Sequence, residues 1–196
     1  MRTHASPRRR PTGGGARQPR GLQGGQDWVE RENFFFGHGL NAVDAKGRVS
    51  VPAVFRTQIE RRAKEDGERD PDKELLIAPH PKADHLRAFD SVGLRDLSAA
   101  IREGVADLPA AERRDALVRA RRDELPALTN VAFDSAGRMV LSPLLRKLGQ
   151  IGDLAFFVGM DDCVEIWSPE NARVAFADNP VVLGTLEGLL AERKPT

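Results

Sequence analysis
The chain contains no tyrosine and a single cysteine, Cys163, in 196 residues. One thiol rules out an intramolecular disulfide and fits a reducing compartment. Asp161 and Asp162 precede it directly. Neighbouring carboxylates raise a thiol's pKa, so this thiol reads as inert. Only four histidines are present. His80 and His85 stand five apart across a loop, a poor metal-ligand spacing, and His4 and His38 are isolated, so all four read as solvated side chains and not as ligands. No apolar run approaches the roughly 20 residues that a membrane helix needs. The arginine-rich start is not followed by the apolar stretch of a signal peptide. A Walker loop, a G-x-S-x-G elbow and an H-E-x-x-H helix are all missing. The expectation is a protein that is not an enzyme, with no catalytic residues, cofactor, metal, membrane partner or small-molecule substrate.

The formal net charge is only +1, and it is unevenly spread. Residues 1–33 carry seven arginines and three acids, net +4, while the other 163 residues carry 23 basic and 26 acidic groups, net −3. The folded part is therefore not a broad basic surface. Positive charge that is to meet a nucleic acid must be gathered on one face, repeated by symmetry in an oligomer. The first 26 residues are rich in Gly, Pro and Arg with almost nothing apolar, which reads as a disordered tail. It is either an inert extension or an arginine arm adding nonspecific phosphate contacts.

What the chain does have is an internal repeat. Val43–Pro52 reads V-D-A-K-G-R-V-S-V-P, and Phe133–Pro143 reads F-D-S-A-G-R-M-V-L-S-P. Asp44, Gly47, Arg48 and Arg56 align with Asp134, Gly137, Arg138 and Arg146 at a constant offset of 90. Each copy reads as strand, tight turn, strand and helix. Asp and Gly suit the turn's backbone angles. Val49 and Val51, then Met139 and Leu141, alternate as in half-buried strands. The proline ends the strand and suits the first turn of a helix.

Beyond each motif the pattern continues in parallel. Leu40–Val43, Val49–Val51, Leu75–Ala78 and Leu86–Phe89 read as strands around a helix over Ala53–Lys64. Val54, Phe55 and Ile59 form that helix's apolar side, and Glu60, Arg61, Arg62 and Lys64 its exposed side. Gly67–Lys73 reads as a polar loop. Leu94, Leu97, Ile101 and Val105 mark one connecting helix, and a more charged one follows Pro109. In the second copy Thr129–Phe133 and Arg138–Leu141 are expected to pair around Asp134–Gly137. Pro143–Leu148 is a short helix, and Leu154–Val158 and Val164–Trp167 complete the strands. Ser168 and Pro169 open a further helix as N-cap and first residue. The stretch from residue 170 to 193 breaks near Asn179-Pro180.

Both D-x-x-G-R turns, with F-F-G seven to nine residues before the first Asp, resemble the MraZ family of bacterial regulators. The resemblance runs from about Phe34 to the end. It implies an α+β fold of two tandem AbrB-like swapped-hairpin units forming a small β-barrel-like core with peripheral helices. The expected division is an extension over 1–33, a first unit over 34–90, a helical connector over 91–127, a second unit over 128–177, and a C-terminal helix and tail over 178–196. Neither hairpin unit looks able to bury its apolar face alone, so one chain supplies both.

The resemblance also implies sequence-specific binding to double-stranded DNA by a ring-like homo-oligomer. Its targets are promoter repeats of its own division and cell wall operon, where it acts as a repressor in the cytoplasm, at the nucleoid. Lys46, Arg48 and Arg138 are the expected DNA contacts. Arginine offers a planar fork to phosphate or guanine, and lysine a flexible point charge. Against this stands a structural role, with Asp44 pairing Arg48 and Asp134 pairing Arg138 across their own turns. Arg56 and Arg146 are expected as partners of Asp44 and Asp134, and as secondary DNA candidates. Ala136 replaces Lys46 in the second turn, so the first copy should dominate phosphate affinity. The alternative function is an oligomeric scaffold that touches DNA only through its basic tail.

Overall fold
The computed structural model describes residues 34–67 and 73–193. The extension expected over 1–33 and most of the loop expected over Gly67–Lys73 lie outside the described residues.

Eight strands follow one another among the described residues: β1 His38–Ala42, β2 Arg48–Ser50, β3 Glu74–Pro79, β4 Leu86–Phe89, β5 Thr129–Ala132, β6 Arg138–Val140, β7 Leu154–Met160 and β8 Cys163–Trp167. Six of them form one antiparallel sheet in the order β1-β7-β8-β4-β3-β5, and β2 pairs only with β6. The chain thus exchanges strands between its halves. Leu40 of β1 sits opposite Phe156 of β7, and Asn130 of β5 sits opposite Leu76 of β3. The hairpin expected around Asp134–Gly137 is a correction. Phe133 and Met139 form one isolated bridge across that turn, while the strands on either side find their ladders in the other half. Strands of three or four residues bury too little on their own, and exchange gives each a partner in the other half, six-residue β3 for β5 and β2 for β6.

The helices are α1 Ala53–Glu65, α2 Ser91–Glu103, α3 Ala110–Glu124, α4 Pro143–Leu148, α5 Pro169–Ala175 and α6 Pro180–Glu192. They cover both faces of the sheet, so β7 reads L-A-F-F-V without polar alternation. Ala155 and Phe157 face the main core with Phe55, Ile77, Leu141 and Ile166. Phe156 and Val158 face a second core with Trp167 and Leu186, under α5 and α6. Phe89, Leu97 and Cys163 form a third, backed by Leu94 and Ile101 of α2. Each large apolar side chain fully buried in this way contributes about 1.5–3 kcal/mol. In contrast, α3 buries no residue. Its end is tied down by an ion pair between Glu124 and Arg87.

Two local expectations change. Pro52 is the N-cap of α1 and lies outside the helix, whereas Pro143 is its helix's first residue, behind the Ser142 cap. Arg62, expected on the exposed side of α1, is 1% exposed. It lies seven residues after Phe55, on the same buried face as Gln58 and Ile59. The opening of α5 is as expected: the Ser168 hydroxyl accepts from the Asn171 N–H at 3.2 Å. Asn179 likewise caps α6 and accounts for the break there.

The F-F-G stretch is held by backbone contacts. The Phe35 N–H donates to the Asp161 carbonyl at 2.7 Å. The Gln58 amide accepts from the Phe36 N–H and donates to the Phe36 carbonyl.

Candidate nucleic-acid interface
Each repeated turn is organised by its aspartate. The Asp44 Oδ1 accepts from the N–H groups of Lys46 and Arg48, both at 2.9 Å, and its Oδ2 accepts from Arg48 Nε at 2.6 Å. Asp134 repeats this with Ala136 N–H, Arg138 N–H and Arg138 Nε at 2.9, 2.9 and 2.8 Å. A short carboxylate folding back on the chain two residues ahead is what makes Asp a turn residue. The backbone N–H of each arginine holds the carboxyl below its usual range, and the guanidinium adds to the effect. Gly47 and Gly137 occupy φ of 78° and 80°, the left-handed region that glycine enters without steric cost.

The expected pairing of Asp44 with Arg56 and of Asp134 with Arg146 is not what forms. Arg56 Nη1 donates to the Ser135 carbonyl at 3.3 Å, in the turn of the other repeat. Arg146 donates through Nε and Nη2 to the carbonyls of Ile151 and Gly152, at 3.3 and 3.1 Å. The reason is the strand exchange. A Cβ on Gly137 would fall 2.5 Å from Arg56 Cδ, and one on Gly47 would fall 3.5 Å from Arg146 Cδ. Each helix arginine therefore packs against the opposite turn, beyond reach of its own aspartate. Further backbone bonds lock the two turns together: Val51 N–H to Gly137 O at 2.8 Å and Leu141 N–H to Gly47 O at 2.9 Å.

The β2–β6 ribbon joins the two copies. Arg48 pairs with Val140, Val49 with Met139, and Ser50 with Arg138. Val49 and Met139 are 2% and 1% exposed and point into the core. Period-two alternation then places Arg48, Ser50, Arg138 and Val140 on the outward face. The Arg48 and Arg138 side chains are 59% and 67% exposed, and Lys46 is exposed at the tip of its turn. A shallow cleft of about 610 Å³ runs along the ribbon, lined by both Asp–Arg pairs. Both arginines bind their aspartate through Nε, the inner nitrogen of the fork. Chemically this is a pair of pre-oriented guanidinium forks on a two-stranded ribbon. Arginine forks bond phosphate or the guanine edge, and a two-stranded ribbon fits the major groove.

Arg48 and Arg138 thus share one face of the ribbon, Lys46 is exposed in the first turn, and Arg56 and Arg146 pack against the opposite turns. Ser50 and Val140 share the outward face and were missed. Their signal was available, since each stands two residues beyond its arginine.

The other singled-out groups lie elsewhere. His85 is 3% exposed, not solvated as expected. It stacks on Trp167 at 3.9 Å and on His80 at 4.6 Å, with Nε2 at 3.3 Å from Glu165 Oε1. Burial pushes His80 below its ordinary value, reinforced by His85 and Arg87. Cys163 is pushed up, first by burial and only then by Asp162. Among the described residues no group of three or more His, Cys, Asp or Glu side chains is placed to hold a metal ion. No described helix is long and apolar enough to cross a membrane.

These features define a class: an α+β protein whose halves exchange strands and jointly present an arginine-bearing ribbon. The chain belongs to the MraZ family. The family model for MraZ protein, described as antitoxin-like, matches residues 127–173. The chain is 32% identical to the transcriptional regulator MraZ of Herpetosiphon aurantiacus, over 76% of this chain and 94% of the relative. It is 32% identical to that of Thermomicrobium roseum, over 80% of this chain and all of the relative. The Coxiella burnetii regulator of the same name is 30% identical, over 71% of this chain and 84% of its own length.

Proposed function
We propose that this chain is a sequence-specific DNA-binding transcriptional regulator that docks its β2–β6 ribbon in the major groove. The observation that carries the reading is the outward face of that ribbon, where Arg48 and Arg138 are each braced by an aspartate. The name shared by its relatives, transcriptional regulator, supports it. Arg48, Arg138 and Lys46 make the DNA contacts. Arg56 and Arg146 support the turns from behind, Arg56 by bonding the Ser135 carbonyl and Arg146 by packing its stem against Gly47.

The two halves are tandem AbrB-like swapped-hairpin units, over 34–90 and 128–177, with 91–127 as a helical connector. One ribbon bears few cations, and residues 34–196 are net acidic. Useful affinity then requires several ribbons on one duplex. That is the physical case for a ring-like homo-oligomer acting on promoter repeats, where avidity multiplies weak contacts. The protein represses its own division and cell wall operon from the cytoplasm, at the nucleoid, without cofactor or catalysis.

The test is a gel shift of the full chain on DNA from upstream of its own gene, with excess random competitor. Lys46→Ala with Arg48→Ala should abolish the specific shift and leave oligomer size unchanged. Specific binding retained by that variant would overturn this assignment of the contact residues, whereas binding that the random competitor abolishes and that vanishes on removing residues 1–33 would move the reading to a scaffold with a basic tail.

A further inference from the structure
The outward face of the ribbon is not symmetric, although the scaffold beneath it is. The turn bonds repeat at an offset of 90 within 0.2 Å. Yet the first copy presents Arg48 and Ser50, and the second presents Arg138 and Val140. Val140 is 52% exposed, on a strand whose inward neighbour Met139 is 1% exposed. It stands directly across from Arg48, as Ser50 stands across from Arg138. Facing side chains in such a ladder lie about 4.5–5.5 Å apart at Cβ. That separation suits contacts to neighbouring base pairs, which rise about 3.4 Å.

In the major groove a guanidinium fork reads guanine, and an apolar side chain reads the C5-methyl of thymine. Serine bonds either base type and discriminates little. We propose that Val140 is a specificity-determining residue that contacts a thymine methyl beside the base read by Arg48. The ribbon then recognises a non-palindromic step despite its twofold scaffold. This inference rests on the reading that the ribbon enters the major groove.

The experiment uses the full chain and a duplex that it selects from random DNA. Each thymine of that duplex is replaced singly by deoxyuridine, which removes only the methyl. At one or more positions wild-type affinity should fall about fourfold, the equivalent of one apolar carbon returned to water. Val140→Ala should bind the thymine duplex more weakly by a similar factor and be indifferent to uracil at those positions. Val140→Thr, which keeps one methyl, should fall between.

Wild-type binding that ignores every uracil would overturn the inference while leaving DNA recognition intact. So would a Val140→Ala protein that still loses affinity with uracil. A Val140→Ala protein of altered assembly size would place the side chain in a contact between copies and overturn it equally. If the wild-type chain selects no sequence at all, the DNA reading fails and this inference falls with it.

Discussion

Arg62 and Asp90 meet in the interior at 2.7 Å, with side chains 1% and 5% exposed. The guanidinium also lies over the Phe35 ring, 4.6 Å from its centre, while Asp90 Oδ1 accepts from the Gly93 N–H and caps α2. One contact thus ties α1, the F-F-G stretch and the start of α2 together.

Asp90→Ala should therefore destabilise the fold strongly. Stranding one member of a buried ion pair costs about 3–5 kcal/mol, and the lost cap adds roughly 1 kcal/mol. Arg62→Met with Asp90→Ser removes both charges and keeps a capping oxygen, so it should recover part of the loss. Urea unfolding midpoints decide. An Asp90→Ala protein as stable as wild type would show that the pair is not what holds these elements.

The two turn glycines should not be equivalent. Both have positive φ, where alanine is strained by about 1–2 kcal/mol. A Cβ on Gly47 would meet the Leu141 carbonyl at 2.3 Å, a backbone atom that cannot swing aside. A Cβ on Gly137 would meet Arg56 Cδ at 2.5 Å, a side chain that can move, and its nearest backbone atom, the Val51 carbonyl oxygen, only at 3.0 Å. Gly47→Ala should lower the thermal midpoint more than Gly137→Ala. The reverse order would mean that the ribbon yields more easily than the arginine.

The turn carboxylates set an acid limit. Asp44 and Asp134 are held below their ordinary value of 3.8. A depressed folded pKa gives stability that is full above the unfolded value and is lost as pH falls through the folded one. The turns should then be unaffected by these groups between pH 5 and 8, about a unit or more above that value, and should loosen only below pH 3.8. An NMR titration of Asp44 should show a midpoint under 3.8. Arg48→Ala should raise that midpoint only in part, because the backbone N–H, the larger cause, survives the substitution. A return to the ordinary value would make the guanidinium the dominant cause instead.

Much of the local structure could be read from the chain because its causes are local. Gly47 and Gly137 announce their turns through a backbone angle that other residues resist. Ser168-Pro169 announces a helix start, and Leu86–Phe89 an apolar strand with matching bounds. The partners of those strands were harder to read. Thr129–Phe133 looked suited to Arg138–Leu141 because both alternate and a tight turn joins them. Period-two alternation fits any neighbour, and burial in the assembled core chose β3 and β2 instead. The same holds for Arg62, Arg56 and His85. A charged or imidazole side chain is normally solvated, and only the arrival of Asp90, the opposite turn or Trp167 makes another place favourable.

The amino-acid sequence by itself determined the repeat, its turns, the outward parity of Arg48 and Arg138, and the resemblance that led to the family. Each depends on residues within a few positions of one another, where sterics and short hydrogen bonds act directly. The tertiary structure alone decided which strands pair, and that Arg56 meets the turn of the other repeat. Those outcomes depend on contacts between residues distant in the chain, such as Val49 with Met139 and Arg56 with Ser135, for which a linear pattern records only that burial is needed and not with whom.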